Sequence, residues 1–138
     1  MQKTITEIEN EIAEEFDLFD EQMEKYEYII DLGKKLPPLD AKYMADDFLV
    51  KGCQSKVWLH AFEKDGRIYF EADSNSTITK GIIALLIRVL SGQKPADILS
   101  SPLAFIDKIN LRSHLSSQRS NGLTAMIQRM KAYASSFA

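Results

Sequence analysis

The sequence predicts an α+β fold, a small antiparallel sheet with helices packed on one of its faces. Three observations carry this. Apolar residues recur at three- and four-residue steps near both ends of the chain, through Ile5, Ile8, Ile12 and Phe16 and again through Leu123, Met126, Ile127 and Met130. Two strand-like runs, Val57 to Glu63 and Arg67 to Ala72, flank Asp65-Gly66, the strongest short-range signal for a two-residue hairpin turn. Between that hairpin and the last helix, residues 78–90 are apolar on every side except Lys80 and Arg88, as suits a helix in the middle of a domain.

Taken in order, residues 4–18 form an amphipathic helix whose buried stripe extends to Phe19. Asp20 can cap a second helix with Met23, Tyr26, Ile29 and Ile30 on its inner side, ended near Leu36 by Gly33 and the Pro37-Pro38 pair. Residues 37–47 read as a surface loop, and Phe48 to Val50 as a short strand. In the hairpin, Phe62 should face Tyr69, His60 face Glu71 and Trp58 face Asp73. The opposite face, with Val57, Leu59, Ala61, Ile68, Phe70 and Ala72, is the more continuous and should lie on helices.

Residues 73–77, rich in Asp, Ser, Asn and Thr, cap the central helix, and Gly81 near its start would admit another backbone at close range. Ser91-Gly92 ends it. Pro95 suits the first turn of a short helix over 96–99, and residues 102–108 form another helical piece. Ser116 or Ser117 caps the final helix, residues 118–134, with Tyr133 at the end of its apolar stripe. No repeat or low-complexity segment interrupts this pattern, so residues 1–138 read as one domain.

Charge narrows the function. Eleven acids against two lysines leave −9 on residues 1–31, so the net −3 puts +6 on the remainder. The acidic third reads as the solvated side of helices and is unsuited to binding phosphates, while the positive charge elsewhere is scattered singly, which argues against nucleic acid. The start of the chain, Met1 to Ile5, lacks the apolar core of a signal peptide. The longest apolar run, residues 81–90, is too short to cross a bilayer. A single cysteine allows no internal disulfide and fits a reducing compartment, so the expected location is the cytoplasm, away from membranes.

That cysteine, Cys53, lies in Lys51-Gly52-Cys53-Gln54-Ser55-Lys56, just ahead of the first strand. Gly52 suits the tip of a tight loop, and Lys51 and Lys56 could lower the thiol pKa by favouring the thiolate, the nucleophilic form. A free cysteine is also among the most buried residue types and often serves as a small hydrophobe. Its polar neighbours favour the reactive role, its residue type favours the inert one, and the local sequence leaves both open.

Other chemistry finds little support. With two histidines, one cysteine and no tight ligand spacing, no metal site is expected. His60 is better explained as the cross-strand partner of Glu71 than as a base for Cys53, since the strand carries it away from the loop. His114 precedes a helix cap and reads as a surface residue. No glycine-rich phosphate loop is present, and Lys80 reads as a lysine emerging from a buried helix rather than a cofactor anchor. Asn75-Ser76-Thr77 matches a glycosylation acceptor, which a cytoplasmic chain would not use. Arg119 opens the last helix, where the helix dipole disfavours a cation, so it is either an exposed side chain or one placed for a role elsewhere.

The string Gly52-Cys53-Gln54-Ser55 followed by Val57-Trp58 is specific. With it stand Tyr28 to Gly33, Leu36-Pro37, Asp73-Ser74, Gly81, Ala84-Leu85, Gly92 and Pro95. His114-Leu115, Arg119, Asn121-Gly122-Leu123 and Ala125-Met126 complete the pattern. Together these closely resemble the SufE family of cysteine desulfuration proteins over nearly the whole chain.

The resemblance implies a SufE/IscU-like α+β fold, related to the scaffolds on which iron–sulfur clusters are built. It implies that Cys53 receives sulfur from the persulfide of a SufS-like cysteine desulfurase and passes it to a cluster scaffold, stimulating the desulfurase. Pyridoxal phosphate would sit on that partner, with no cofactor on this chain. The resemblance makes Gly52, Gln54 and Ser55 the catalytic loop, with Asp73 and Arg119 as docking residues, and has the resting thiol tucked into an apolar hollow. Asn75 departs from it, many relatives having Asp there.

Two rival functions remain. A cluster scaffold would need about three cysteines or equivalent ligands, which this chain lacks. A partner that activates the desulfurase without carrying sulfur could share the same surface.

Overall fold

The computed structural model describes residues 3–138; Met1 and Gln2, on which part of the signal-peptide reading rests, lie outside the described residues. The chain runs α1 (Ile5–Phe16), α2 (Gln22–Lys34), β1 (Val57–Lys64), β2 (Arg67–Ser74), α3 (Thr77–Leu90), α4 (Pro95–Ser100), α5 (Phe105–Lys108) and α6 (Ser117–Phe137). The fold is α+β, as the sequence predicts.

Helix α1 starts where Thr4 closes a capping box with Glu7, each accepting a hydrogen bond from the other's backbone N–H at 3.1 Å. Helix α2 differs from expectation at both faces of its start. Glu21, not Asp20, occupies the cap position and makes no side-chain cap bond, and Met23 is 64% exposed because the buried stripe begins only with the turn holding Tyr26 and Ile29. The surface segment expected over residues 37–47 holds one 3-10 turn, Ala41–Tyr43, and runs into a second, Asp46–Phe48. The expected strand over 48–50 shrinks to one bridge from Leu49 to Trp58, because the second 3-10 turn uses up Phe48.

The hairpin has the predicted register, with Phe62 opposite Tyr69, His60 opposite Glu71 and Trp58 opposite Asp73. Asp65 and Gly66 take φ of 54° and 78°, the left-handed pair of a type I′ turn, whose twist matches that of the strands. Val57, Leu59, Ala61, Ile68, Phe70 and Ala72 are all buried against the helices. The outer face is not bare. His60 stacks on Tyr43 with ring centroids 3.7 Å apart, and Phe62 stacks on Tyr69 at 5.5 Å, so the 41–48 segment partly covers the sheet's second side. His60 Nδ1 lies 3.0 Å from Glu71, the pairing expected from the register.

Helix α3 is the centre of the core. Ser76 caps it, accepting from Thr79 N–H at 3.4 Å, and nine of its fourteen residues are buried. It crosses α2 so closely that a Cβ on Gly81 would lie 2.1 Å from the Ile29 carbonyl oxygen, and one on Gly33 would lie 2.6 Å from the Gly81 nitrogen. The glycine pair is what permits that approach. Helix α6 runs longer than its apolar pattern, to Phe137; it buries Gly122, Leu123, Met126, Met130 and Ala134, while Ile127 and Tyr133 are half-buried.

Two carboxylates on the acidic helix are not solvated as composition suggests. Glu9 is 4% exposed and accepts from Phe105 N–H at 2.8 Å, capping the short α5. Glu15 forms a two-point ion pair with Arg88 of α3 and accepts from the Tyr28 hydroxyl, tying α1, α2 and α3 together. The Arg88 hydrogen bonds hold the Glu15 carboxyl below its usual range, and burial, with Glu15 adjoining, pushes the Tyr28 hydroxyl up to about 12.

Gly81→Ala should therefore lower the melting temperature sharply, by the equivalent of about 3 kcal/mol or more, since backbone rather than a flexible side chain must yield. Thermal unfolding followed by circular dichroism measures this; an unchanged melting temperature would mean that α2 and α3 can part without cost.

Candidate functional site

Cys53 sits on a loop with a fixed stem and a loose tip. At the stem, Val50 N–H donates to the Val57 carbonyl at 2.8 Å. Lys56 is held on both backbone groups, its N–H by Asn75 Oδ1 at 3.0 Å and its carbonyl by the Ser74 hydroxyl at 2.7 Å. The Asn75 side chain contributes only an acceptor oxygen here, which Asp also carries, so the departure at this position leaves the anchor intact. At the tip, among the described residues, residues 51–55 make one hydrogen bond to the rest of the molecule, from Cys53 Sγ to the Gly122 carbonyl at 3.6 Å.

Gly52 has φ of 95°, a conformation that side-chained residues rarely adopt, and a Cβ there would press on Ala125 at 3.2 Å. A Cβ on Gly122 would stand 3.4 Å from the Cys53 sulfur, a close van der Waals contact, so this stretch of α6 packs directly on the thiol. Gly122 appeared in the sequence only as part of a pattern. Nothing local to it signals that it faces a residue 69 positions away.

The thiol is half-buried beside a small hollow. Ile82 and Met126 give it an apolar floor. Gln54, Ser55 and Arg119 lie at its rim, so these expected residues do gather around Cys53, with Gly52 adjoining. The hollow is not wholly apolar, however. Thr79, 5% exposed, lines it too, and sequence reasoning passed over this residue as part of the helix start. The free space is about 10 Å3, close to the minimum that holds one water-sized group. Larger clefts lie elsewhere, one beside Thr4 and Glu9 and one beside Asp47 and Arg129, but neither contains a cysteine.

Asp73 does not join the hollow. It pairs with Lys80 at 3.2 Å and accepts from Ser74 N–H at 2.7 Å. Arg119 caps nothing with its side chain; among the described residues its guanidinium makes neither a hydrogen bond nor an ion pair, while its backbone N–H is satisfied by the Ser116 hydroxyl at 3.3 Å.

Electrostatics overturn one expectation. Lys51 and Lys56 are exposed and do not depress the Cys53 pKa; burial alone pushes the thiol up, favouring the protonated form. His114 also departs from its surface reading. It is half-buried with an unpartnered Nδ1, and burial lowers its pKa.

No group of three His, Cys, Asp or Glu among the described residues could hold a metal ion, and no helix there is long and apolar enough to cross a membrane. What the fold and site define is a small α+β protein that holds one half-buried thiol on the loop ahead of its hairpin. The comparisons with known proteins give its family. The SufE model, described as an Fe-S metabolism associated domain, matches residues 10–134. The chain belongs to the SufE family.

It is 38% identical over 130 residues to an uncharacterized SufE-like protein of Rhizobium meliloti strain 1021, covering 91% of this chain and 93% of that one. It is 36% identical over 111 residues to the sulfur acceptor protein CsdE of Escherichia coli strain K12, covering 79% and 76%. A solution structure of a hypothetical protein from Thermus thermophilus shares the fold, with TM-score 0.78 over 94% of this chain and 95% of that one at 20% identity.

The folded pKa of Cys53 lies above the unfolded one. The sheltered thiol therefore contributes stability that is fully present below the unfolded pKa and lost as pH rises through the folded one. Iodoacetamide should accordingly modify native Cys53 more slowly at neutral pH than the urea-unfolded chain, with its rate rising through a midpoint at higher pH. Coincident midpoints would show that the thiol is not sheltered in solution.

Proposed function

We propose that this protein is a sulfur acceptor and carrier for iron–sulfur cluster assembly, acting through Cys53. The observation that supports this best is the pairing of a lone thiol on a loosely held loop tip with a hollow that has room for about one more atom. The chemistry is thiol exchange. The Cys53 thiolate attacks the outer sulfur of a partner's persulfide, a Cys53 S–S bond forms, the partner's S–S bond breaks and the partner's cysteine leaves as thiolate. The sulfur moves without net oxidation, so no second cysteine and no oxidant are needed. The name of the Escherichia coli relative, a sulfur acceptor protein, is consistent with this.

The donor is a SufS-like cysteine desulfurase carrying pyridoxal phosphate, and the recipient is a cluster scaffold. This chain contributes no cofactor and is not an enzyme by itself. It acts as one unit over residues 1–138, in the cytoplasm, and binds no nucleic acid. Support for the compartment comes from the free thiol, which a reducing environment preserves.

Burial disfavours the thiolate, so transfer requires the tip to leave the hollow and the persulfide to return to it. Gly52 supplies the hinge, and the stem at Val50, Val57 and Lys56 stays fixed. Gln54, Ser55, Arg119 and Asp73 lie on the surface a desulfurase would meet, Arg119 with its charge free to pair. The same docking would stimulate the desulfurase by clearing its persulfide.

Intact-mass spectrometry after mixing the protein with a cysteine desulfurase and free cysteine tests this. A reductant-sensitive gain of one sulfur is expected on the wild type and not on Cys53→Ser. Stimulated turnover with no sulfur gain would instead make the protein an activator and Cys53 a packing residue.

Gly52→Val should keep the fold but slow sulfur transfer, by about tenfold or more, because its side chain meets both the positive φ and Ala125. Single-turnover transfer kinetics give the answer; a wild-type rate would remove Gly52 as the hinge.

A further inference from the structure

We propose that the Thr79 hydroxyl holds the outer sulfur of the Cys53 persulfide in the resting hollow. The inference rests on the sulfur-acceptor reading and deepens it. Thr79 is 5% exposed, lines the hollow beside the Cys53 sulfur, and its hydroxyl makes no hydrogen bond among the described residues. The hydroxyl is not among the fully enclosed unpartnered atoms, so this side chain of a 5% exposed residue lining the hollow keeps access for a partner. Its backbone N–H is already satisfied by Ser76, so the hydroxyl is not needed for the helix cap.

The chemistry of the two sulfur states fits this division. The resting thiol is a donor and has its acceptor, the Gly122 carbonyl. A persulfide is more acidic than a thiol, and once its outer sulfur is ionised it can only accept. The Gly122 carbonyl, also an acceptor, then has nothing to offer it. Other donors at the hollow come from exposed Gln54 and Gln118 or from the half-buried Ser55 and Arg119 at the rim, all reachable by water. Thr79 is the least exposed residue among these donors, and it stands on the same helix as Ile82, which lines the hollow with it. The free space is enough for one added atom and little more. Thr79 is thus a positioning residue that keeps the loaded sulfur turned inward, away from water and oxidants.

The test loads wild type, Thr79→Val and Thr79→Ser with a cysteine desulfurase and L-cysteine, then removes both. Cyanide, which takes the outer sulfur as thiocyanate and leaves Cys53 as thiol, is the probe. Sulfur remaining on Cys53 is followed by intact mass. Thr79→Val should lose its sulfur about tenfold faster than wild type, the scale of one lost hydrogen bond to a charged acceptor, and Thr79→Ser should keep nearly the wild-type rate. Melting temperature and iodoacetamide reactivity of unloaded Cys53 should stay unchanged, which separates a hold on sulfur from a packing role.

Should the valine variant not fold, Thr79→Ser against Thr79→Ala repeats the comparison, since that pair differs only in the hydroxyl. Equal cyanide rates with and without the hydroxyl overturn the proposal and leave the carrier reading standing. A wild type that takes no sulfur overturns both.

Discussion

The backbone crossing of α2 and α3 at Gly33 and Gly81 sets the geometry of the whole molecule. With no Cβ between them, the two helices pack as though α3 were a rod pressed into a slot. Everything else is measured from that rod. The hairpin lays its apolar face on it, α1 is clamped to it through Glu15 and Arg88, and α6 closes the remaining side. The stretch of α3 on either side of the crossing supplies Thr79 and Ile82 to the hollow beside Cys53. A helix that could slide would move the walls of that hollow. The glycine pair and the half-buried charge pair are therefore as much part of the site's geometry as the loop.

On the proposed carrier reading, the thiol is caught between two requirements. Attack on sulfur needs the thiolate, whereas survival of a persulfide needs shelter, and shelter disfavours charge. The structure satisfies the second in place. The loop stem is pinned through backbone groups of Val50, Val57 and Lys56, and the tip is held by packing and one weak S–H···O contact. A firm stem with a weakly bound tip separates position from protection, so the same residue can be kept safe and be released without unfolding the strand that follows it. Arg119 stands at the rim with no carboxylate partner among the described residues, and Lys51 and Lys56 are out in solvent.

Much of this was legible in the chain. The hairpin, its register and its buried face follow from period-two alternation around Asp65-Gly66, because a one-residue slip would turn every apolar side chain to water. The central helix follows from an apolar run with no polar face, and Gly81 from the improbability of a glycine inside it. The misreadings were of a different kind. Glu9 and Glu15 look like two acids among eleven on a solvated surface until α5 buries the first and Arg88 pairs with the second. Lys51 and Lys56 flank Cys53 in sequence, yet successive side chains on a turn splay apart, and both reach solvent.

Element order, strand pairing, the thiol and the string around it that marks the family can all be read from the chain alone, since each depends on residues within a few positions of one another. What the thiol faces is a matter of tertiary packing. Gly122 comes within van der Waals range of the sulfur from 69 residues away, and Thr79 lines the same hollow from the far side of the hairpin. That encounter sets the protonation preference of Cys53, because burial is a property of what packs around a group and no local spacing encodes it.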